Sequence, residues 1–86
     1  MIGDLLSERE LEVALLAVCG LTDLEIALRL GISASTVHNT MSTVYRKTGA
    51  GSRPQLALMM VSDGTITPRE AGQLLVLSGV MCRRSA

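Results

Sequence analysis

Residues 32–47 read ISASTVHNTMSTVYRK. The segment joins a short turn, a serine that can cap a helix, and a helical repeat with one apolar and one polar face. The apolar side is formed by side chains at helical spacing: Val37, Met41, Val44, Tyr45 and Thr48. The opposite side carries short hydrogen-bonding groups and a base: Ser35, His38, Asn39, Ser42, Thr43 and Arg46. Such a helix is suited to lie in the major groove of DNA.

Composition favours one small helical domain. The chain has 86 residues, of which 48% are hydrophobic, and Tyr45 is its one aromatic residue. An aliphatic, methionine-rich core of this kind favours helices over a sheet. Apolar runs such as 56–61 are too short to span a bilayer, and the N-terminus lacks the features of a signal peptide. The two cysteines, Cys19 and Cys82, indicate reduced thiols, so we expect a cytoplasmic protein with no membrane association.

Charge is unevenly distributed although the net charge is zero. Residues 1–25 hold six acids and one base, whereas residues 26–62 hold no acid and four bases. Those bases are Arg29, Arg46, Lys47 and Arg53. A small basic segment that contains the polar helix is what double-stranded DNA would require of a partner.

Capping signals divide the chain into five predicted helices. Three of them open on a capping box, a serine or threonine followed three residues later by a glutamate: Ser7–Glu10, Thr22–Glu25 and Thr67–Glu70. The third helix opens at Ser33 after a turn at Gly31, and the fourth has Pro54 in its first turn. We therefore predict an all-α chain with helices over about 8–19, 22–30, 34–48, 54–62 and 67–78.

Residues 5–62 resemble the LuxR/NarL (GerE-type) helix-turn-helix domain. The shared marks are Leu6-Ser7-x-Arg9-Glu10-x-Glu12-Val13, Gly20-Leu21-Thr22, Glu25-Ile26-Ala27, Leu30-x-Ile32-Ser33, Ser35-Thr36-Val37, Lys47 and Ser52-Arg53. The resemblance implies a four-helix domain whose third helix enters the major groove and whose fourth helix forms the dimer seam. Most members carry a receiver or ligand-sensing domain ahead of it, and this chain resembles the stand-alone members.

The resemblance also implies which residues bind DNA. His38, Asn39 and Ser42 match positions that meet base edges, and Ser35 and Thr36 match positions that contact phosphate at the start of the helix. Asparagine can read adenine bidentately, and arginine or lysine can hold the backbone. The predicted DNA contacts are Ser35, Thr36, His38, Asn39, Ser42, Thr43, Arg46, Lys47 and Arg53.

Several positions depart from the family pattern. His38 stands where a lysine is usual and Thr40 where a histidine is usual, while Leu24 and Leu28 occupy positions that are commonly basic or polar. Because affinity depends on the number of phosphates neutralised, a monomer should bind weakly, and we expect a homodimer on an inverted repeat. The alternative is a protein-interaction module that kept the fold and binds a regulator or RNA polymerase.

Surplus apolar stripes indicate further interfaces. We assign residues 1–64 to the helix-turn-helix domain and 65–86 to a helical extension that packs on the domain or on a partner. On helix one, we expect one stripe to face the core (Val13, Leu16 and Ala17) and a second to need a cover (Leu11, Leu15 and Val18). On helix four, we expect Leu58 and Val61 on the outside, as the dimer interface.

No arrangement in the sequence indicates an enzyme. Serine, histidine and aspartate are all present, but no spacing joins a nucleophile to a base and an orienting acid. Neither cysteine has metal-ligand spacing. We therefore expect no catalytic site, metal, cofactor or small-molecule ligand, and we expect a transcriptional regulator.

Overall fold

A computed structural model describes residues 1–66 of the chain. This part forms a 3₁₀ turn at Ile2–Asp4 and four helices. The helices are α1 (Glu8–Val18), α2 (Asp23–Leu30), α3 (Ala34–Thr48) and α4 (Arg53–Ser62). The predicted all-α, four-helix architecture is confirmed, and the helix expected over 67–78 lies outside the described residues.

The predicted capping boxes open α1 and α2. The Ser7 hydroxyl accepts from the Glu10 backbone N–H at 3.2 Å, and the Glu10 carboxylate accepts from the Ser7 N–H at 2.8 Å. Thr22 and Glu25 repeat the pair with the same two distances. Each box satisfies two amides that the first helical turn would otherwise leave without a partner.

Two glycines in the left-handed conformation end α2 and α3. Gly31 has φ of 71° and Gly49 has φ of 80°, a region that side chains with a Cβ rarely adopt. Ser33 then starts α3 by accepting from the Thr36 N–H at 3.1 Å, as predicted. The start of α4 is capped by Ser52, one residue before Arg53, and Pro54 lies in its first turn.

The core lies around α1, which packs against the other three helices, and α2 packs along one side of α3. Its largest fully buried side chains come from all four helices: Val13, Ile26, Val37, Val44, Leu56 and Met60. Met41 is buried beside them, and Tyr45 is half-buried. The apolar face predicted for α3 is therefore the face that holds the domain together.

The apolar faces of α1 and α4 differ in detail from the prediction. On α1, Ala14 is fully buried, whereas Leu16, which was expected in the core, is half-buried. The second stripe of α1 is half-buried and packs in part against the core: Leu11, Leu15 and Val18. The segment predicted to cover this stripe lies outside the described residues. On α4, Val61 is half-buried: it packs in part against the core and keeps the rest of its surface exposed.

The N-terminus is tied to the end of α4, which no sequence pattern indicated. Asp63 accepts from the Ile2 N–H at 2.5 Å, and Thr65 accepts from the Gly3 N–H at 3.3 Å. The 3₁₀ turn is thereby closed against the core, with Ile2 buried. None of the helices in residues 1–66 is long and apolar enough to cross a membrane.

Candidate DNA-binding face

The α2–turn–α3 unit presents one side of α3 to solvent. The Ile32 N–H donates to the Ala27 carbonyl at 3.0 Å, which closes the turn between the helices. The buried residues of α3, Val37, Met41 and Val44, hold the helix against α1 and α2. The opposite side of α3 therefore points away from the domain, as a recognition helix requires.

Most of the predicted DNA contacts lie together on that outer side. Exposed residues of α3 run along its length: Ser35, Thr36, His38, Asn39, Ser42, Arg46 and Lys47. Thr43 lies among them and is half-buried. We call this set with Thr43 the polar face. It contains no acidic side chain, so nothing on the face itself repels a phosphate.

Lys47 lies at the end of the polar face and already binds an anion. Its ammonium donates to the Glu10 carboxylate at 2.8 Å, and the accepting oxygen is the one that caps α1 through Ser7. Lys47 and the Ser7 amide together hold the pKa of Glu10 below its ordinary value. The pair fastens the last turn of α3 to the first turn of α1.

Arg53, the remaining predicted contact, lies on α4 and is bound within the domain. Its guanidinium donates to the Leu21 carbonyl and, at 2.5 Å, to the Asp23 carboxylate. It therefore joins the start of α4 to the start of α2. Asp23 also lies 4.0 Å from the His38 ring nitrogen Nδ1, so the same carboxylate approaches the polar face.

Glu10 and Asp23 are the two residues of this region that the sequence did not identify. Both lie in the first turn of a helix, where a carboxylate is already explained by capping or by the helix dipole. Their partners are distant in sequence, Lys47 for Glu10 and Arg53 for Asp23. A local pattern could not have revealed these pairs.

Three leucines of helices α1–α4 are exposed and lie outside the polar face. Leu24 and Leu28 on α2 are 62% and 76% exposed, and Leu58 on α4 is 68% exposed. Leu24 and Leu28 are four residues apart and therefore share one side of α2. The predicted outward position of Leu58 is confirmed.

An apolar groove of about 270 Å³ lies between α1 and α2. Its walls are formed by Glu12, Leu15, Leu16, Cys19, Arg29 and Leu30. Burial raises the pKa of the Cys19 thiol, which keeps it protonated. Residues 1–66 contain no group of three potential metal-ligating side chains.

One comparison with known proteins gives a match. The family described as bacterial regulatory proteins, luxR family, matches residues 4–60. The matched segment runs from the end of the 3₁₀ turn to the last buried methionine of α4, and it includes the whole polar face. No curated protein and no solved structure matches the chain.

Proposed function

The chain belongs to the luxR family of bacterial regulatory proteins, and on this basis we propose that it reads a specific DNA sequence as a homodimer. As a family member it is a DNA-binding helix-turn-helix regulator. The proposal is that α3 of each protomer occupies the major groove of one half-site of an inverted repeat, in the bacterial cytoplasm. No catalytic chemistry is part of this function.

The observation that carries the proposal is the composition of the polar face. Apart from the two bases at its end, it consists of one histidine, one asparagine, two serines and two threonines. Short side chains of this type can approach base edges, and Asn39 can pair with both N6 and N7 of adenine. A helix that only faces solvent more often carries glutamate and lysine on its exposed side. The polar face has no acidic side chain along the length of α3.

The charge of the domain argues for two protomers. Residues 1–66 carry five lysine or arginine side chains, and two of them, Lys47 and Arg53, are paired with carboxylates. Few bases are left to neutralise phosphates in one protomer, so monomer binding is weak. Two protomers on adjacent half-sites double the number of contacts and fix their spacing at one helical turn.

Leu58 supports α4 as the dimer seam. A large apolar side chain that is 68% exposed gains by burial against a second copy. Val61 contributes its exposed part to the same side, one turn further along the helix. We propose that Leu58 and Val61 of the two protomers meet across the two-fold axis, with Leu58 at its centre.

Two leucine variants test the dimer. Leu58→Glu should give a monomer with weakened DNA binding, because a carboxylate cannot be buried against its own copy. Leu24→Glu introduces the same charge at a leucine of similar exposure on α2 and should leave the dimer intact. A Leu58→Glu protein that remains dimeric by analytical ultracentrifugation contradicts the α4 seam.

A charge-matched pair tests the DNA-binding face. Arg46→Gln removes one positive charge from the polar face, and Arg29→Gln removes one from the groove between α1 and α2. We expect Arg46→Gln to weaken binding to a mixed-sequence duplex strongly and Arg29→Gln to weaken it little, in titrations at low salt. Equal losses in the two variants would contradict the assignment of α3 as the recognition helix.

The second candidate function is a protein-interaction module, and the exposed Leu24 and Leu28 favour it. In a protein that binds only DNA, two such leucines on the outer side of α2 have no use. The occupant of this side would be a regulator or RNA polymerase. Two results together would support this function. The chain would bind no duplex, even at low salt, and Leu24→Glu would abolish its binding to RNA polymerase.

A further inference from the structure

The hydroxyl groups of α3 have a defined hydrogen-bonding direction. Ser42 donates to the His38 carbonyl at 3.2 Å, and Thr43 donates to the Asn39 carbonyl, also at 3.2 Å. A hydroxyl group has a single proton and two acceptor lone pairs. Since each proton is used within the helix, these two side chains have only acceptor capacity left for a ligand.

Asn39 lies beside the two hydroxyl groups and differs from them in its hydrogen-bonding capacity. Ser42 and Thr43 follow it by three and four residues, so the three side chains form one cluster on the polar face. Asn39 and Ser42 are exposed, and Thr43 is half-buried. The Asn39 amide can donate and accept, whereas the two hydroxyls beside it can only accept.

We infer that Ser42 and Thr43 determine sequence specificity as acceptors, each selecting a base that presents an amino group in the major groove. This inference rests on the proposed DNA-binding function. Adenine offers its N6 amino group and cytosine its N4 amino group there, whereas the major-groove polar atoms of guanine and thymine are acceptors. Guanine or thymine opposite these hydroxyls would bring lone pairs together.

The intrahelical hydrogen bonds oppose a change of these hydroxyls from accepting to donating. To donate to guanine or thymine, a hydroxyl must give up its bond to the helix carbonyl, which then keeps only its backbone hydrogen bond, so one hydrogen bond is exchanged for another. A mismatched base pair commonly lowers affinity by roughly tenfold or more, tenfold being near the lower end of the usual range. We expect a preference of that size at the base facing each hydroxyl.

The first part of the test identifies those bases. Sites are selected from random duplexes with the wild-type chain, with Ser42→Ala and with Thr43→Val, which remove the hydroxyls and change the shape little. Each variant should relax the preference at one position, where the wild-type chain should distinguish a base pair from its strand-reversed form, A·T from T·A or C·G from G·C. Thr40→Val is the matched control, because Thr40 makes the same kind of bond, to the Thr36 carbonyl at 2.7 Å, and is not part of the polar face.

The second part removes the amino group from the DNA. At the position relaxed by Ser42→Ala, adenine is replaced by purine deoxyriboside, or cytosine by 2-pyrimidinone deoxyriboside. The wild-type chain should lose roughly tenfold in affinity, and Ser42→Ala should lose nothing more. Melting curves of all variants establish that they remain folded.

The outcomes separate the inference from the function on which it rests. A wild-type chain whose affinity does not fall when the amino group is removed at the position relaxed by Ser42→Ala overturns the inference and leaves the proposed function standing. So does a site whose preferences the two variants leave unchanged. A wild-type chain that enriches no site overturns the proposed function, and the inference with it.

Discussion

Lys47 must exchange one anion for another if it binds a DNA phosphate, because its ammonium lies 2.8 Å from the Glu10 carboxylate in the free domain. Glu10→Gln removes this competitor. The glutamine keeps a side-chain oxygen for the Ser7 amide, so the capping box of α1 is preserved. The substitution therefore frees one lysine with little change to the helix that carries it.

The size of the effect follows from counterion release. Each phosphate that a protein neutralises contributes about −0.9 to the slope of log affinity against log salt. A freed Lys47 should steepen that slope by up to about 0.9 for each protomer and about 1.8 for a dimer. Between about 50 and 200 mM salt, the variant dimer would lose up to about 12-fold more affinity than the wild type.

Fluorescence anisotropy with a labelled duplex at several salt concentrations measures this difference. Glu12→Gln is the matched control, because Glu12 lies on α1, two residues from Glu10, and lines the groove. It changes the net charge equally without touching Lys47. Parallel salt dependences for the wild type and Glu10→Gln would refute the reasoning, and so would equal steepening in Glu12→Gln.

Three other predictions concern stability. Leu56→Ala should cost about 2–5 kcal/mol, because Leu56 is fully buried, whereas Leu28→Ala should change stability by less than about 0.5 kcal/mol; chemical denaturation measures both. Bonds from Lys47 and Thr65 hold the pKa values of Glu10 and Asp63 below the ordinary 4.5 and 3.8. The stability that these bonds contribute is complete above those pH values and is lost as the pH falls through the lowered ones, so melting temperatures should drop below about pH 4.5, and less so in Glu10→Gln. Deletion of residues 67–86, which the sequence predicts to cover an apolar surface, should lower the melting temperature or change the oligomeric mass; no change in either would contradict that prediction.

The helices of the domain could be predicted because their signals are local. Ser7, Thr22 and Ser33 each lie within three residues of the amide they cap, and Gly31 ends its own helix. The apolar repeat of α3 identified its buried side for the same reason. Periodicity within one helix determines which residues can face the core together.

The contacts between helices could not be predicted in this way. Lys47 is 37 residues from Glu10, and Arg53 is 30 residues from Asp23. The residues next to Lys47 or Arg53 do not show whether the cation pairs with a carboxylate of the domain or is available to bind a DNA phosphate. The structure therefore shows that Lys47 and Arg53, two of the predicted DNA contacts, are paired with carboxylates. The polar side of α3 is exposed, as its pattern predicted, apart from the half-buried Thr43.

The rotation of α1 was misjudged because small residues give a weak signal. Ala14 was not counted in the core stripe, yet it is fully buried, and the larger Leu16 is only half-buried. A helix with apolar side chains on several sides is compatible with more than one orientation. The packing of α3 and α4 determines which orientation is adopted.

Selection from a pool of random duplexes at low salt tests the central claim most directly. Arg46→Glu is the control of choice, since Arg46 is exposed at the end of the polar face and, unlike Lys47, makes no ion pair within residues 1–66. We predict that the wild-type chain enriches an inverted repeat and that Arg46→Glu does not. A wild-type chain that enriches no sequence, or a control that enriches the same one, would contradict the claim that α3 reads DNA.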